Sequence, residues 1–372
     1  MTTKASLAPS LRDELTRRIR ASGPINFATF MEVALYDPRN GFYARPPVGK
    51  EGHFVTSPHV SPAFGDLMAR QVAESWEILG RPRRFDLVEV GAGDGTLAVQ
   101  ILAAVRAVPD LSRALRYVPV ERSPGALAAL RASGLEPRTS LAEIEDVGCV
   151  VANEVLDNLP FHRLRERDGS IREVFVDLDH DRFVEFEGEP TERAMAALGD
   201  RRLRPGEERP VSPAALELIG HIAGVLEGGY AFLFDYGFAR GETPGPVHAY
   251  RYHRALAGVL EDPGSRDITA AVDLDAVAEE ARRSPLTIWG PVAQREALLG
   301  LGYRMWASGV RARQAEAEAR GDWRAANRLY AARSRGSILI DPAKLGGLSL
   351  LVFGTEGLPP PAAVLGDRDT GC

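Results

Sequence analysis

The stretch Phe85 to Leu97, FDLVEVGAGDGTL, limits what this chain can fold into more than any other. It opens on an apolar run, Leu87, Val88 and Val90, and turns through Gly91, Gly93 and Gly95. It then enters a helical pattern carried by Leu97, Ile101, Leu102 and Val105. A buried strand, a glycine turn and a helix fit that order. Glycine supplies positive φ and lets backbone approach a ligand closely. The first turn of a helix points free N–H groups outward. In open α/β sheets, nucleotide-like ligands sit in that crevice, beyond the carboxyl ends of the strands.

The dinucleotide fingerprint is G-x-G-x-x-G, and its third glycine packs helix on strand. Here the third glycine is Gly95, and Thr96 stands at the fingerprint's third-glycine position. Glu89 precedes Gly91 by two residues, where a carboxylate suits a ligand bearing an ammonium group better than a pyrophosphate. The pattern Glu-x-Gly-x-Gly-x-Gly resembles the first motif of class I S-adenosylmethionine (SAM) methyltransferases. A dinucleotide site and a glycine turn without a ligand remain open as alternatives on this motif alone.

A chain of 372 residues, 45% hydrophobic and 26% charged, has the balance of an ordinary globular protein with a large core. A net charge of −6 argues against a general nucleic-acid surface. Cys149 lies in an apolar run and reads as a buried thiol, and Cys372 is the last residue. Two such cysteines make neither a disulfide framework nor a cysteine-based zinc site. The seven histidines form no H-E-x-x-H or comparable cluster, so no metal is expected. No run of 18 apolar residues exists, so no membrane span is expected. The N-terminus lacks an apolar signal core and carries acidic residues, which reads as a cytoplasmic protein.

Along the chain, residues 1–84 read as a helical cap and cofactor lid, with helices over 6–22, from Phe27 to about Tyr36, and from Phe64 to Leu79. Residues 85–160 read as the first half of an α/β core. Its strands are Phe85 to Val90, Tyr117 to Val120, a short one around Leu135 to Arg138, and Cys149 to Ala152. Residues 161–210 read as a substrate-side insertion holding an antiparallel hairpin, with alternating runs at Ile171 to Val176 and Phe183 to Phe186. Residues 211–356 read as the second half of the core, with strands at Gly229 to Phe234, Leu286 to Trp289 and Leu348 to Phe353. Helical stretches at 213–226, 275–283, 293–300 and 322–335 accompany them, and a loop insertion covers 241–273. Residues 357–372, opened by Leu358-Pro-Pro-Pro, read as a flexible tail. Such alternation predicts a doubly wound, mainly parallel sheet with helices on both faces.

The candidate chemistry lies at the strand ends. Glu121 closes the second strand, where a carboxylate can take both ribose hydroxyls. Asn153 and Glu154 follow the next central strand, and Asp157 lies three residues on. Asp157 can also be read as a cap, since anions suit helix N-termini. Thr56 and Ser57 sit on a loop before a helix, as a turn or as a lid over the cofactor. Asp235 ends a strand in Phe-Asp-Tyr-Gly and reads as an anchor before a substrate carboxylate, while Asp267 and Asp273 look like caps for the helix near Leu274. His162, just past Pro160, reads as a structural imidazole before a base.

Taken in order, these pieces resemble the MidA-like family of methyltransferases, over about residues 20 to 355. They are Gly52-x-Phe-x-Thr-Ser-Pro58, Phe64-Gly65, Glu89-x-Gly-x-Gly-x-Gly-Thr-Leu97, Ala152-Asn-Glu154 with Asp157-x-Leu-Pro160, Asp235-Tyr-Gly237, Ala249-Tyr-Arg251, and Asp267-Ile-Thr-Ala270 with Val272-Asp273. The resemblance implies a seven-stranded class I fold and SAM as cofactor. A mitochondrial member of the family, a complex I assembly factor, methylates a protein arginine. By that resemblance Thr56 and Ser57 close over SAM, and Glu89, Gly91, Gly93, Gly95, Glu121, Arg122 and Asn153 bind it. The resemblance also turns Asn153-Glu154 toward the substrate, and Glu154 and Asp157 are the expected catalytic pair, suited to grip a guanidinium and take its proton. Two positions depart from the family pattern: Ala271, where histidine is common, and Ala293-Gln294, where Thr-Gln is usual. Ala271 lies on the substrate side, so fold and cofactor carry over before the acceptor does. The expected acceptor is a protein or peptide arginine. The alternatives are a small molecule methylated on O or N, and a silent SAM-binding assembly factor. A homodimer is compatible with the sequence.

Overall fold

The central strand Phe85–Val90 is buried along its whole length, and its side chains alternate between two apolar clusters. Phe85 and Leu87 point to one face of a sheet, Val88 and Val90 to the other. That double burial is what a parallel strand covered by helices on both sides requires. The computed structural model describes residues 10–44, 56–142, 144–145, 147–251, 254–256 and 258–366.

Six strands form the main sheet, in the spatial order Leu286–Ala293, Ser349–Thr355, Tyr230–Asp235, Val147–Asn153, Phe85–Val90, Leu115–Val120. The last four pair in parallel. Ser349–Thr355 runs antiparallel to both of its neighbours, so five of the six strands point the same way. Helices Ala63–Ile78 and Thr96–Val105 cover one face, while Pro213–Val225 and Leu274–Ala281 cover the other. The fold is therefore α/β, with a mainly parallel sheet covered by helices on both faces; among the described residues that sheet has six strands, where seven were expected. The segment around Leu135 to Arg138, expected as a strand, meets the sheet through one parallel bridge, Val120↔Arg138. Pro137, which has no N–H to give a ladder, immediately precedes the bridging residue.

Residues His162–Arg167, Ser170–Asp179, Arg182–Gly188 and Glu208–Val211 build an antiparallel sheet, wider than the expected hairpin. Ile25–Asn26 joins it by pairing with Phe175 and Val176, so the N-terminal region and this insertion share one body. Phe27, Phe30, Phe161 and Val176 lie together in their common core. In the second insertion His248–Arg251 pairs with Arg254–Leu256 and Asp267–Thr269.

Leu358 to Gly366 is not a flexible tail. Leu358, Ala362, Ala363 and Val364 pack on the larger apolar cluster. The Tyr230 hydroxyl donates to the Pro359 carbonyl (2.7 Å), and the Ala363 N–H donates to Gln71 Oε1 (3.0 Å). Apolar side chains at Leu358 and Val364 supply the burial that the proline run obscured. Cys372 lies outside the described residues. Cys149 is fully buried. Among the described residues no helix is long and apolar enough to cross a membrane.

Candidate functional site

A cavity of about 770 Å³ opens at the carboxyl ends of Phe85–Val90, Leu115–Val120 and Val147–Asn153. It is large enough for a nucleoside-sized ligand together with an acceptor side chain. Its two ends have different chemistry.

The first end is the glycine turn. Gly91, Gly93 and Gly95 all have positive φ, at 69°, 55° and 82°. A Cβ on Gly91 would sit 2.6 Å from Val155, and one on Gly95 would sit 3.0 Å from Leu130. Gly91 and Gly95 are thus packing glycines. A Cβ on Gly93 would meet nothing within 4 Å, because Gly93 borders the cavity. Glu121 crosses beneath the turn. Its carboxylate accepts from the N–H groups of Gly93 (3.0 Å), Arg122 (2.7 Å) and Ser123 (2.9 Å), and its side chain lines the cavity. Glu89 also lines it, buried, and accepts from the Tyr117 hydroxyl (2.7 Å). Burial pushes its carboxyl up to about 8. Asp94 caps the next helix by accepting from the Thr96 N–H (3.0 Å), so that donor is already taken.

Thr56 and Ser57 approach this turn from across the cleft. Thr56 Oγ1 lies 2.8 Å from His59 Nδ1, and His59 Nε2 lies 3.0 Å from Asp94 Oδ2. His59 therefore ties the loop to the glycine turn, and its ring lines the cavity. Ser57 lies behind the cavity wall, fully buried. Its hydroxyl donates to Gln294 (3.0 Å) and its N–H to Glu154 (3.1 Å). Arg122 is stacked over Tyr36 (3.9 Å to the ring centre) and ion-paired with Glu32, at the cavity's edge.

The second end is acidic. Glu154 has φ 55°, a left-handed conformation uncommon for a residue with a side chain. Its N–H donates to Phe234 (2.7 Å), and Asn153 Nδ2 donates to its carboxylate (2.9 Å). Asn153 Oδ1 is buried with no partner among the described residues. Asp157 sits on the turn Leu156–Asn158, 7% exposed, and its Oδ1 likewise lacks a partner. Unpaired buried acceptors are costly, and beside a cavity they point to a ligand that completes them.

Two more carboxylates flank this pair. Asp235 accepts from the N–H groups of Val155 (3.0 Å), Leu156 (2.7 Å) and Tyr236 (2.8 Å), which fixes the loop carrying Glu154 and Asp157. Asp267 accepts from the Tyr43 hydroxyl (3.0 Å), from Asn158 Nδ2 (3.0 Å) and from the Ile268 N–H (3.0 Å). It joins the N-terminal region, the Asp157 turn and the second insertion. Asp267 is therefore not a helix cap; Asp273 is, accepting from the Ala276 N–H (3.0 Å). Burial raises Asp235 and Asp267 to about 7. It raises Glu154 too, and Asp157 well above the usual carboxylate range, with the charges of Asp235, Asp267 and Glu154 adding to the effect.

His162 pairs with Glu173 (2.6 Å) in the insertion sheet, away from this cavity. Tyr36, Tyr43 and His59 are wall residues to which the sequence reading gave no role, and Asp267 is one it read as a cap. Among the described residues no group of His, Cys, Asp or Glu is arranged to hold a metal ion.

The arrangement fits the expected nucleoside cofactor. The Gly93 surface is open, a carboxylate ends the adjacent strand, and Asn153 offers an unpaired acceptor. Comparison with known proteins agrees. Residues 67–292 match the model of a family described as putative S-adenosyl-L-methionine-dependent methyltransferases. The chain is 32% identical over 322 residues to the Drosophila melanogaster homolog of protein arginine methyltransferase NDUFAF7, covering 77% of this chain and 73% of that one. It is 28% identical to human NDUFAF7, covering 80% and 74%. A crystal structure of a likely methyl transferase from Burkholderia thailandensis, bound to S-adenosyl-homocysteine, superposes with a TM-score of 0.82 at 28% identity, over 96% of this chain and 95% of that one. The curated relatives are named as mitochondrial, which overturns the cytoplasmic location expected from the sequence. Lack of an apolar signal core speaks to secretion and carries no information about mitochondria.

Proposed function

We propose, for a chain that belongs to the S-adenosyl-L-methionine-dependent methyltransferase family, that Glu154 and Asp157 receive the guanidino group of a protein arginine as methyl acceptor. The enzyme is a SAM-dependent methyltransferase. When bound, SAM would supply an electrophilic methyl on a sulfonium, transferred in line with the thioether sulfur as leaving group. In this reading Glu121 accepts the ribose hydroxyls, Glu89 faces the amino-acid end, and Asn153 Oδ1 serves the cofactor. Gly91, Gly93 and Gly95 shape the backbone beneath it. Thr56, held through His59, closes the wall, with Ser57 pinning that wall to Glu154 from behind. Arg122 stacks on Tyr36 and borders the nucleoside side of the cavity.

One observation carries the acceptor assignment: Glu154, Asp157 and Asp267 line one end of the cavity, with Asp235 buried behind the loop that carries the first two, and Asp157 Oδ1 is unpaired. Buried anions call for a cation. Carboxylates grip the planar donors of a guanidinium in pairs and can leave one nitrogen aimed forward. Glu154 and Asp157 also lie where a proton released from the methylated nitrogen can be taken up. Asp235 and Asp267, saturated by hydrogen bonds, position the loops. The name of the fly and human relatives, protein arginine methyltransferase, supports the same acceptor.

The test is transfer of labelled methyl from SAM to a panel of arginine peptides, matched lysine peptides and small metabolites. Label recovered on arginine supports the reading. Label confined to metabolites or to lysine overturns the acceptor and leaves the methyltransferase assignment intact.

A further inference from the structure

Between Tyr303 and Gly336 the chain forms two antiparallel helices, Tyr303–Ala319 and Trp323–Gly336, joined by a short turn at Arg320-Gly-Asp322. Eight arginines stand in this segment against three acidic residues, in a chain whose net charge is −6. Among the described residues Arg320 lies 4.0 Å from Glu316. Arg311, Arg313, Arg324 and Arg328 are exposed and make no ion pair with any described residue. Among the described residues, the large apolar side chains with the greatest fractional exposure lie on the same hairpin: Trp323 at 64%, Met305 at 63% and Tyr330 at 54%.

The hairpin is firmly seated. Tyr303, Trp306 and Val310 are buried in the main core, and Trp306 Nε1 donates to Asp66 (2.7 Å). Its second helix packs against the turn that carries Thr56, Pro58 and His59, where the Ser61 hydroxyl donates to the Ala332 carbonyl (2.9 Å). The opposite side of that turn is the cavity wall. The helix that carries Arg324, Arg328 and Tyr330 thus packs on the segment that forms the Thr56–His59 wall.

We propose that this hairpin is a docking surface for an acidic protein segment. Charge complementarity carries the assignment. Guanidinium groups held on rigid helices match carboxylates bidentately, and Arg, Trp and Tyr are the side chains that anchor protein interfaces. A membrane is disfavoured by the layout. Met305 lies in the first turn of the first helix and Trp323 opens the second, so they sit toward opposite ends of the hairpin. Arginines separate them, whereas an interfacial helix needs a continuous apolar stripe. A segment docked here is delivered beside the Thr56 wall, so the surface suits a protein that also presents the methyl acceptor.

The experiment uses the full chain and a fluorescein-labelled 16-residue peptide of alternating Glu and Leu pairs, read by anisotropy in about 100 mM salt. The comparison protein carries Arg311→Ala, Arg313→Ala, Arg324→Ala and Arg328→Ala together, and a second carries Trp323→Ser. Calorimetry with SAM, unchanged in both, shows that each remains folded. The account expects peptide affinity to fall at least about tenfold in the quadruple variant and several-fold in Trp323→Ser, with a matched Lys/Leu peptide not binding. Equal affinity in wild type and quadruple variant overturns it. So does an absence of peptide binding by the wild type, or tighter binding to phosphatidylserine vesicles or to a single-stranded RNA 20-mer than to the peptide.

Discussion

The two ends of the cavity solve opposite problems. At the nucleoside end, Glu121 is half-buried and already satisfied by three backbone N–H groups, and the turn above it is short contiguous sequence. At the acceptor end, Glu154, Asp157, Asp235 and Asp267 come from three separate segments and are nearly all enclosed. The first end holds one buried carboxyl, Glu89, bonded to the Tyr117 hydroxyl. The second keeps strained backbone at Glu154 and an unpaired acceptor at Asp157, a cost that belongs to function rather than to folding.

The sharpest way to break this contrast is to remove acceptor-end charge. Asp157→Asn or Glu154→Gln is expected to lower turnover about 100-fold or more while SAM affinity stays within a few-fold. Single-turnover assays beside calorimetry measure both, and a parallel loss of SAM binding would merge the two ends into one. Next in size, Gly93→Val is expected to weaken SAM binding about tenfold to 100-fold, because the new side chain enters the cavity from a left-handed residue. Turnover at saturating SAM falls less than in the acceptor-end variants. Unchanged SAM affinity would remove the glycine turn from the cofactor site.

The third prediction concerns stability. Asp235 and Asp267 have folded values near 7, against 3.8 for an ordinary aspartate. A carboxyl raised on folding contributes its full stability below the unfolded value and loses it as pH rises through the folded one. Glu173 and Glu208 are shifted the other way, so their contribution is lost only on acidification below the ordinary glutamate range. Between pH 5.5 and 8.5 the Tm of the ligand-free protein is therefore expected to fall. Asp157→Asn removes one buried acid and is expected to raise Tm at pH 8 even as it lowers turnover. A Tm that climbs across this window, or drops in Asp157→Asn, contradicts the idea of stored acidity. The smallest effect is assigned to Gln294→Ala, which frees the Ser57 hydroxyl from its buried partner. It is expected to cost about 1–3 kcal/mol by denaturant unfolding and to raise the KM for SAM modestly.

Much of the nucleoside end was legible in the sequence because its signals are local. Strand, glycines and helix follow one another without a break, and Glu121 lies at the end of the neighbouring strand. The acceptor end was half legible. Glu154 and Asp157 stand beside a strand end, but Asp267 resembled a cap. Its actual partners, Tyr43 and Asn158, are brought to it by tertiary contacts that no spacing encodes. One element was passed over and another misread for similar reasons. Helix Tyr303–Ala319 buries only Tyr303, Trp306, Val310 and Ala317, so its apolar stripe is thin in a run of alanine and arginine. The Leu358 segment reads as proline-rich linker until Tyr230, Glu74 and Gln71 are seen to bind its backbone.

The most direct test of the two-ended cavity is a crystal structure of this protein soaked with S-adenosyl-homocysteine. The nucleoside is expected over Gly91 to Gly93 with its ribose at Glu121, and the sulfur is expected to face the space beside Glu154 and Asp157. Density for the ligand elsewhere, with the glycine turn bare, would contradict the account.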